Sequence, residues 1–189
     1  GNFDNDAGEV TVSGLTPTVQ YTPSMATSGY QFSNISVHTT NNGGVLPASS
    51  YTVEYQNNTS AGTATVLIRG NNDEYWTGTY KYEFKIVGTI TDAQITIPDQ
   101  VYTGTAYTKD TIEGIEVVCD GYNLQKNVDY EITGVTGTTD ALTTPGSGTP
   151  GITIKGIGDY FTTVGDPTKS ATFAIKYPMD NSKLVIGDG

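Results

Sequence analysis

Residues 51–70 carry two runs in which apolar and polar positions alternate. Tyr51, Val53 and Tyr55 fall on one face, and Thr52, Glu54 and Gln56 on the other. After the Asn/Ser/Gly cluster at 57–62 the pattern resumes, with Ala64, Val66 and Ile68 set against Thr65 and Arg69; Leu67 is the exception on the polar side. Alternation with a period of two around such a cluster predicts an antiparallel hairpin. A hairpin is not stable alone, so it must belong to a larger sheet. Residues 79–86 alternate most cleanly, with Tyr80, Tyr82, Phe84 and Ile86 inward and Thr79, Lys81, Glu83 and Lys85 outward. Shorter strands are predicted at 10–12, at 35–37, around Ile95 and Ile97, and at Ile115, Val117 and Cys119. Residues 17–21 lead through Thr22-Pro23 into a loop containing Gly29. No window carries apolar residues at helical spacing; the nearest, 110–116, is interrupted by Gly114.

The order of these elements repeats. Tyr102 stands 81 residues after Tyr21, Ile115 80 after Ile35, and Tyr130 79 after Tyr51. Gly156 then stands 86 after Gly70, and Phe173 89 after Phe84. Tyr160 echoes Tyr75. The two jumps in offset fall in residues 136–149 and 162–169, which are rich in Thr, Gly and Pro, as insertions at exposed turns of a duplicated fold would be. The reading is therefore all-β, with two β-sandwich domains in tandem at 10–88 and 91–177. Residues 1–9 form a loose polar lead-in, 87–92 a short linker, and 178–189 an extension or the start of a further module, with Leu184, Val185 and Ile186 as a candidate strand. The internal repeat argues against one large barrel.

The first copy carries Asn57-Asn58-Thr59-Ser60-Ala61-Gly62-Thr63-Ala64-Thr65-Val66, Tyr75, Gly78-Thr79 and Phe84-Lys85-Ile86. The second carries Tyr102-Thr103-Gly104, Asp129-Tyr130, the run 152–156, Gly158-Asp159-Tyr160 and Phe173-Ala174-Ile175. This pattern resembles the immunoglobulin-like repeats of bacterial cell-surface and secreted proteins. The second copy departs from it at 134–151, where a longer loop replaces the Asn-Asn turn. The resemblance implies immunoglobulin-like sandwiches in an extracellular protein, serving as spacers, adhesive stalks or accessory domains. It brings no catalytic set with it.

Composition narrows the function. The net charge is −11, with 9 Lys+Arg against 20 Asp+Glu. Nucleic acid and anionic membrane surfaces need clustered cations, so neither is an expected partner. No apolar run approaches the ~20 residues of a membrane helix. No signal peptide is visible, and the start at Gly1-Asn2-Phe3-Asp4 suggests a segment whose export signal has been removed. The single Cys119 allows no intrachain disulfide. Its place in an alternating run reads as a buried strand thiol rather than a nucleophile, since no His or cation stands beside it.

Catalysis finds little support. His38 is the sole histidine, and no Ser or Cys motif accompanies it. One His and one Cys cannot make an ordinary zinc site. The acidic pairs Asp4/Asp6 and Asp73/Glu74 sit in lead-in and turn segments, where solvated charge is the ordinary explanation. The runs 2–6 and 71–74 offer oxygen ligands for calcium, but Asn and Asp form turns without metal, and no EF-hand spacing is present. No enzyme activity, metal or cofactor is expected. Lys–Asn isopeptide crosslinks are not expected, because the first copy has no lysine before Lys81. Asn34, Asn57 and Asn58 fit the glycosylation sequon, which matters only in a eukaryotic secretory host.

The expected function is a non-catalytic structural or adhesive module that holds or presents a binding surface for a host or glycan ligand, beside neighbouring domains of a larger protein. The alternative is a carbohydrate-binding accessory module of a glycan-capturing or glycan-degrading protein. Its candidate ligand-binding rings are Tyr75, Trp76, Tyr122, Tyr160 and Phe161, because an exposed ring beside Asn or Asp stacks on a sugar face. A sandwich edge rich in Tyr accounts for the same residues without a ligand.

Overall fold

The computed structural model describes residues 1–71, 75–138, 148–161, 165 and 167–178. The turn and calcium readings at 72–74, most of the two insertions and the strand expected at 184–186 lie outside these residues. The chain is predominantly β and divides into two compact units, Gly1–Thr89 and Ile90–Gly189.

In the first unit, β1 (Val10–Ser13) is cut from β2 (Thr18–Gln20) at Gly14, whose φ is +83°. An added methyl there would run into the Asn34 carbonyl, so the close approach also favours glycine. The break lets one stretch of chain serve two sheets. β1 pairs antiparallel with β3 (Ser36–Thr39), placing Val12 opposite Val37. β2 instead runs parallel to the end of β6 (Thr79–Val87), the next strand of a sheet ordered β2-β6-β5-β4. The hairpin of β4 (Tyr51–Gln56) and β5 (Gly62–Gly70) forms as its alternation predicts, with Tyr51 opposite Gly70 and Tyr55 opposite Val66.

The core lies on one face of this sheet. Val37, Val66, Ile68 and Ile86 are fully buried, and Phe84 nearly so. Each such side chain contributes about 1.5–3 kcal/mol by leaving water. Phe32 packs edge-on against Tyr30 at 5.0 Å and Phe84 at 4.8 Å, and its N–H donates to the Tyr55 hydroxyl at 2.9 Å. That bond fastens the long loop between β2 and β3 to the edge strand. The loop contains one helical turn, α1 (Met25–Ser28), which drops Met25 into the core. On the opposite face of β5, Thr65 and Leu67 are also buried. Leu67 lies in register between Glu54 and Lys81 on the flanking strands, so long polar side chains cover it, and its break in the alternation leaves no exposed apolar spot.

Residues 1–9 are not a loose lead-in. Phe3 is completely buried, between Tyr51 at 6.1 Å and Trp76 at 5.7 Å. Its N–H donates to the Thr77 carbonyl at 2.8 Å, and the Asp4 carboxylate accepts from the Thr79 N–H at 2.8 Å. The Asn5 side-chain amide satisfies both backbone groups of Lys81. The segment thus covers part of the outer edge of β6. A polar composition hid this, because a single phenylalanine anchors it and the polar side chains serve as backbone mimics.

The second unit is built in the same order. β7 (Gln94–Thr96) pairs antiparallel with β9 (Glu116–Cys119), which also pairs with β10 (Tyr122–Asn123). β8 (Gln100–Val101) runs parallel to β14 (Ile175–Lys176). β11 (Tyr130–Thr136), β12 (Gly151–Gly156) and β13 (Thr168–Thr172) form a separate meander.

Individual backbone bonds recur as well. The Tyr21 N–H donates to the Val87 carbonyl at 2.9 Å, and Tyr102 donates to Lys176 at 2.7 Å. Leu46 donates to Val37 at 2.9 Å, and Leu124 to Val117 at 2.8 Å. Tyr130 faces Gly156 as Tyr51 faces Gly70. An added methyl on Gly70 would strike the Trp76 carbonyl, and one on Gly156 the Tyr160 carbonyl. By this geometry Tyr160 stands in the place of Trp76, not of Tyr75.

The strands of the two units also differ in detail. β11 carries a bulge between Ile132 and Gly134, and the single strand β6 is replaced by β13 and β14, which residues 173–174 separate. The segment 87–92 is also more than a linker, since Ile90 is buried and a 3-10 turn spans Ile90–Asp92.

Phe3→Ala is expected to cost about 3–5 kcal/mol, the usual range for emptying a buried phenylalanine site. Urea unfolding followed through the first unit checks this; a free lead-in would leave the midpoint unchanged.

Candidate functional site

The five candidate rings divide between the two units. Tyr75 is 69% exposed, while its neighbour Trp76 turns inward against Phe3. Both belong to the first unit. In the second unit Tyr122 is 52% and Phe161 46% exposed, and among the described residues neither pairs with another ring. Tyr160 ends the 3-10 turn Gly158–Tyr160 at the edge of a loop, as expected, but its ring is buried rather than offered to a ligand. The buried position follows from its glycine partner: Gly156 leaves room for the chain at 160 to fold directly over β12. The exposed ring that does pair is Tyr177, 5.2 Å from Tyr102. The parallel register of Val101 with Lys176 brings these two tyrosines together, a long-range pairing that alternation alone does not reveal.

The titratable groups drawn together in the second unit centre on Cys119, Asp120 and Tyr160. Asp120 and Gly121 make the two-residue turn between β9 and β10, with φ of +54° and +81°. Asp-Gly is the dipeptide that such a turn favours. The turn holds the Asp120 carboxylate against the chain, where it accepts from the Cys119 thiol while its Oδ2 is buried without a hydrogen-bond partner among the described residues.

Burial therefore pushes the Asp120 acid above the ordinary aspartate value, and the Asp92 charge adds to this; the thiol bond pulls the other way. Burial first, then the Asp120 charge and hydrogen bond, push the Cys119 thiol up to about 12. Burial also raises the Tyr160 hydroxyl, with further contributions from Cys119, Asp120, Asp129 and Asp159. A thiol held so firmly protonated is a poor nucleophile and a poor metal ligand. The cluster is a packed structural element with an electrostatic cost.

His38 lies half-buried on β3, its Nε2 3.1 Å from the Ser36 hydroxyl. Asp4 is engaged by the Thr79 N–H. Among the described residues, no group of three or more His, Cys, Asp and Glu side chains comes together to hold a metal ion, and no helix is long and apolar enough to cross a membrane.

Each unit has a cleft beside its short parallel ladder. In the first it has a volume of about 790 Å³, between β2 and the loop through α1. In the second it is about 630 Å³, between β8 and residues 103–114. Neither was marked by the sequence pattern, because both are walled by loop residues rather than by alternating strands. Comparisons with protein-family models, with curated proteins and with solved structures return no match.

Two outcomes are expected. Cys119 resists alkylation by iodoacetamide in the folded chain and reacts fully in denaturant, as read by intact mass. Because the folded state raises the Asp120 value, this group favours folding most below the ordinary aspartate range near ~4, and the benefit is lost as pH rises through the higher folded value. Asp120→Asn, which suits the same turn, should melt higher than the parent at neutral pH, with the two melting temperatures converging as pH falls to the ordinary range.

Proposed function

We propose that this chain is a non-catalytic segment of a bacterial extracellular protein, made of two immunoglobulin-like sandwiches that act as a spacer or ligand-presenting stalk. The observation that carries this reading is the repeated backbone scheme: the same antiparallel pair, the same parallel closure of a post-proline strand onto the last strand, and the same tyrosine–glycine register in both units. A fold copied with its framework bonds intact suits a mechanical or positioning role, in which each copy adds length and stability. The acidic surface supports the same reading, since net charge of one sign disfavours self-association. The side chains with shifted proton affinities are buried in packing and are not gathered in an open cleft.

In each unit the first sheet-switching strand is bonded in parallel to the last, so a pull on the ends loads that ladder in shear before the meander can peel. Single-molecule stretching of the whole chain, tethered at both termini, should therefore give two separate unfolding events. Each should release roughly 300 Å of chain, at about 3.4 Å per residue for units of this size. One event, or gradual yielding without a force peak, would remove the spacer reading.

A further inference from the structure

We propose that the cleft of the second unit binds a neutral sugar residue of a glycan. The inference goes beyond the spacer reading. It deepens the carbohydrate alternative by replacing its scattered aromatic candidates with one built site.

The cleft has the walls such a ligand needs. Asp99, Val101 and Thr103 come from β8 and its flanks, and Tyr107, Thr111 and Glu113 from the loop opposite. Its volume of about 630 Å³ falls in the usual range of small-ligand sites, ~300–1,000 Å³. Val101 is 53% exposed, an apolar side chain held open to solvent beside the half-buried Tyr107 ring. Together they offer a surface for the C–H face of a sugar, while hydroxyls and carboxylates surround it as partners for the sugar's hydroxyl edge. Among the described residues no Lys, Arg or His lines the cleft, so phosphorylated, sulfated and uronic sugars are disfavoured. Lys176 pairs with Asp99 from the neighbouring strand. Glu113, exposed and in no ion pair among the described residues, is the acceptor with most capacity left.

The cleft is also held in shape before any ligand arrives. Gln100 is buried, and its side chain donates to the carbonyls of Pro98 at 2.8 Å and Glu113 at 3.0 Å while accepting from the Glu113 N–H at 3.1 Å. That clamp ties the two walls together below Glu113. The Tyr107 hydroxyl donates to the Val101 carbonyl, spanning the cleft from the other side. Bonds already made within the protein spare the ligand the cost of ordering its site. The first unit has a cleft at the corresponding place with no carboxylate among the described residues of its lining, so the position belongs to the fold and the acidic lining to the second unit.

The test uses the whole chain labelled with ¹⁵N. Amide spectra are recorded during titration with maltotetraose, cellotetraose, xylotetraose and mannotetraose, and separately with a heparin disaccharide, an oligolysine peptide and calcium chloride. The expected result is saturable shifts at Val101, Thr103, Thr111 and Glu113 with at least one neutral oligosaccharide. Glu113→Ala should weaken that binding by about tenfold, through loss of a charge-assisted acceptor. Glu113→Gln, which keeps the shape of the side chain, gives the same reading if the alanine variant is poorly folded. The proposal is overturned if no neutral oligosaccharide shifts these amides, if the shifts centre on Tyr75, Tyr122 or Phe161, or if both Glu113 variants bind as the parent does. It is equally overturned if only the peptide, calcium or the sulfated sugar acts there. None of these failures bears on the two unfolding events that test the spacer reading.

Discussion

Each unit depends on a short parallel ladder that joins its first third to its last strand. In the first unit Thr18, Val19 and Gln20 meet Lys85, Ile86 and Val87; in the second only Gln100 and Val101 meet Ile175 and Lys176. So few bonds contribute little by themselves, since a net hydrogen bond is worth about 1 kcal/mol. Their importance is topological. They close a loop of more than sixty residues in each unit, and the entropy of that closure is met by the side chains it brings together, such as Ile86, Tyr21 and Val37. The glycine that breaks the first strand and the proline that precedes the second half make this possible, because one uninterrupted strand could not pair into both sheets.

Within that frame the long alternating runs were legible and the short or irregular ones were not. Residues 51–56, 62–70 and 79–87 form strands because period-two alternation has no other stable outcome once one face is buried. The all-β character followed from the same runs. The repeated spacing was visible in the sequence, and individual hydrogen bonds recur at the same offsets: Tyr102 follows Tyr21 and Lys176 follows Val87 by the shifts read from the tyrosine and phenylalanine positions. The role of residues 1–9 was hidden, because Asn5 and Asp4 act through side-chain bonds to backbone, which leave no periodic mark.

The candidate site was legible only in part. Aromatic residues at turns are visible in a sequence, but whether a ring points outward is decided by neighbours far along the chain. Tyr160 is buried because Gly156 lets it approach, and Tyr177 finds Tyr102 through a two-residue ladder. The cleft beneath Glu113 is defined by a buried glutamine whose three bonds go to backbone at Pro98 and Glu113. Glutamine in a short polar stretch gives no sign of such a clamp.

The bulge after Ile132 decides which side chains β11 can turn toward the apolar face of β12. Ile132 stands opposite Ile154, and beyond the bulge Val135 stands opposite Ile152. Strict alternation from Ile132 would put Val135 on the other face, so the extra residue carries the apolar stripe across an interruption in the pattern. A defect in periodicity is thereby absorbed locally by the backbone.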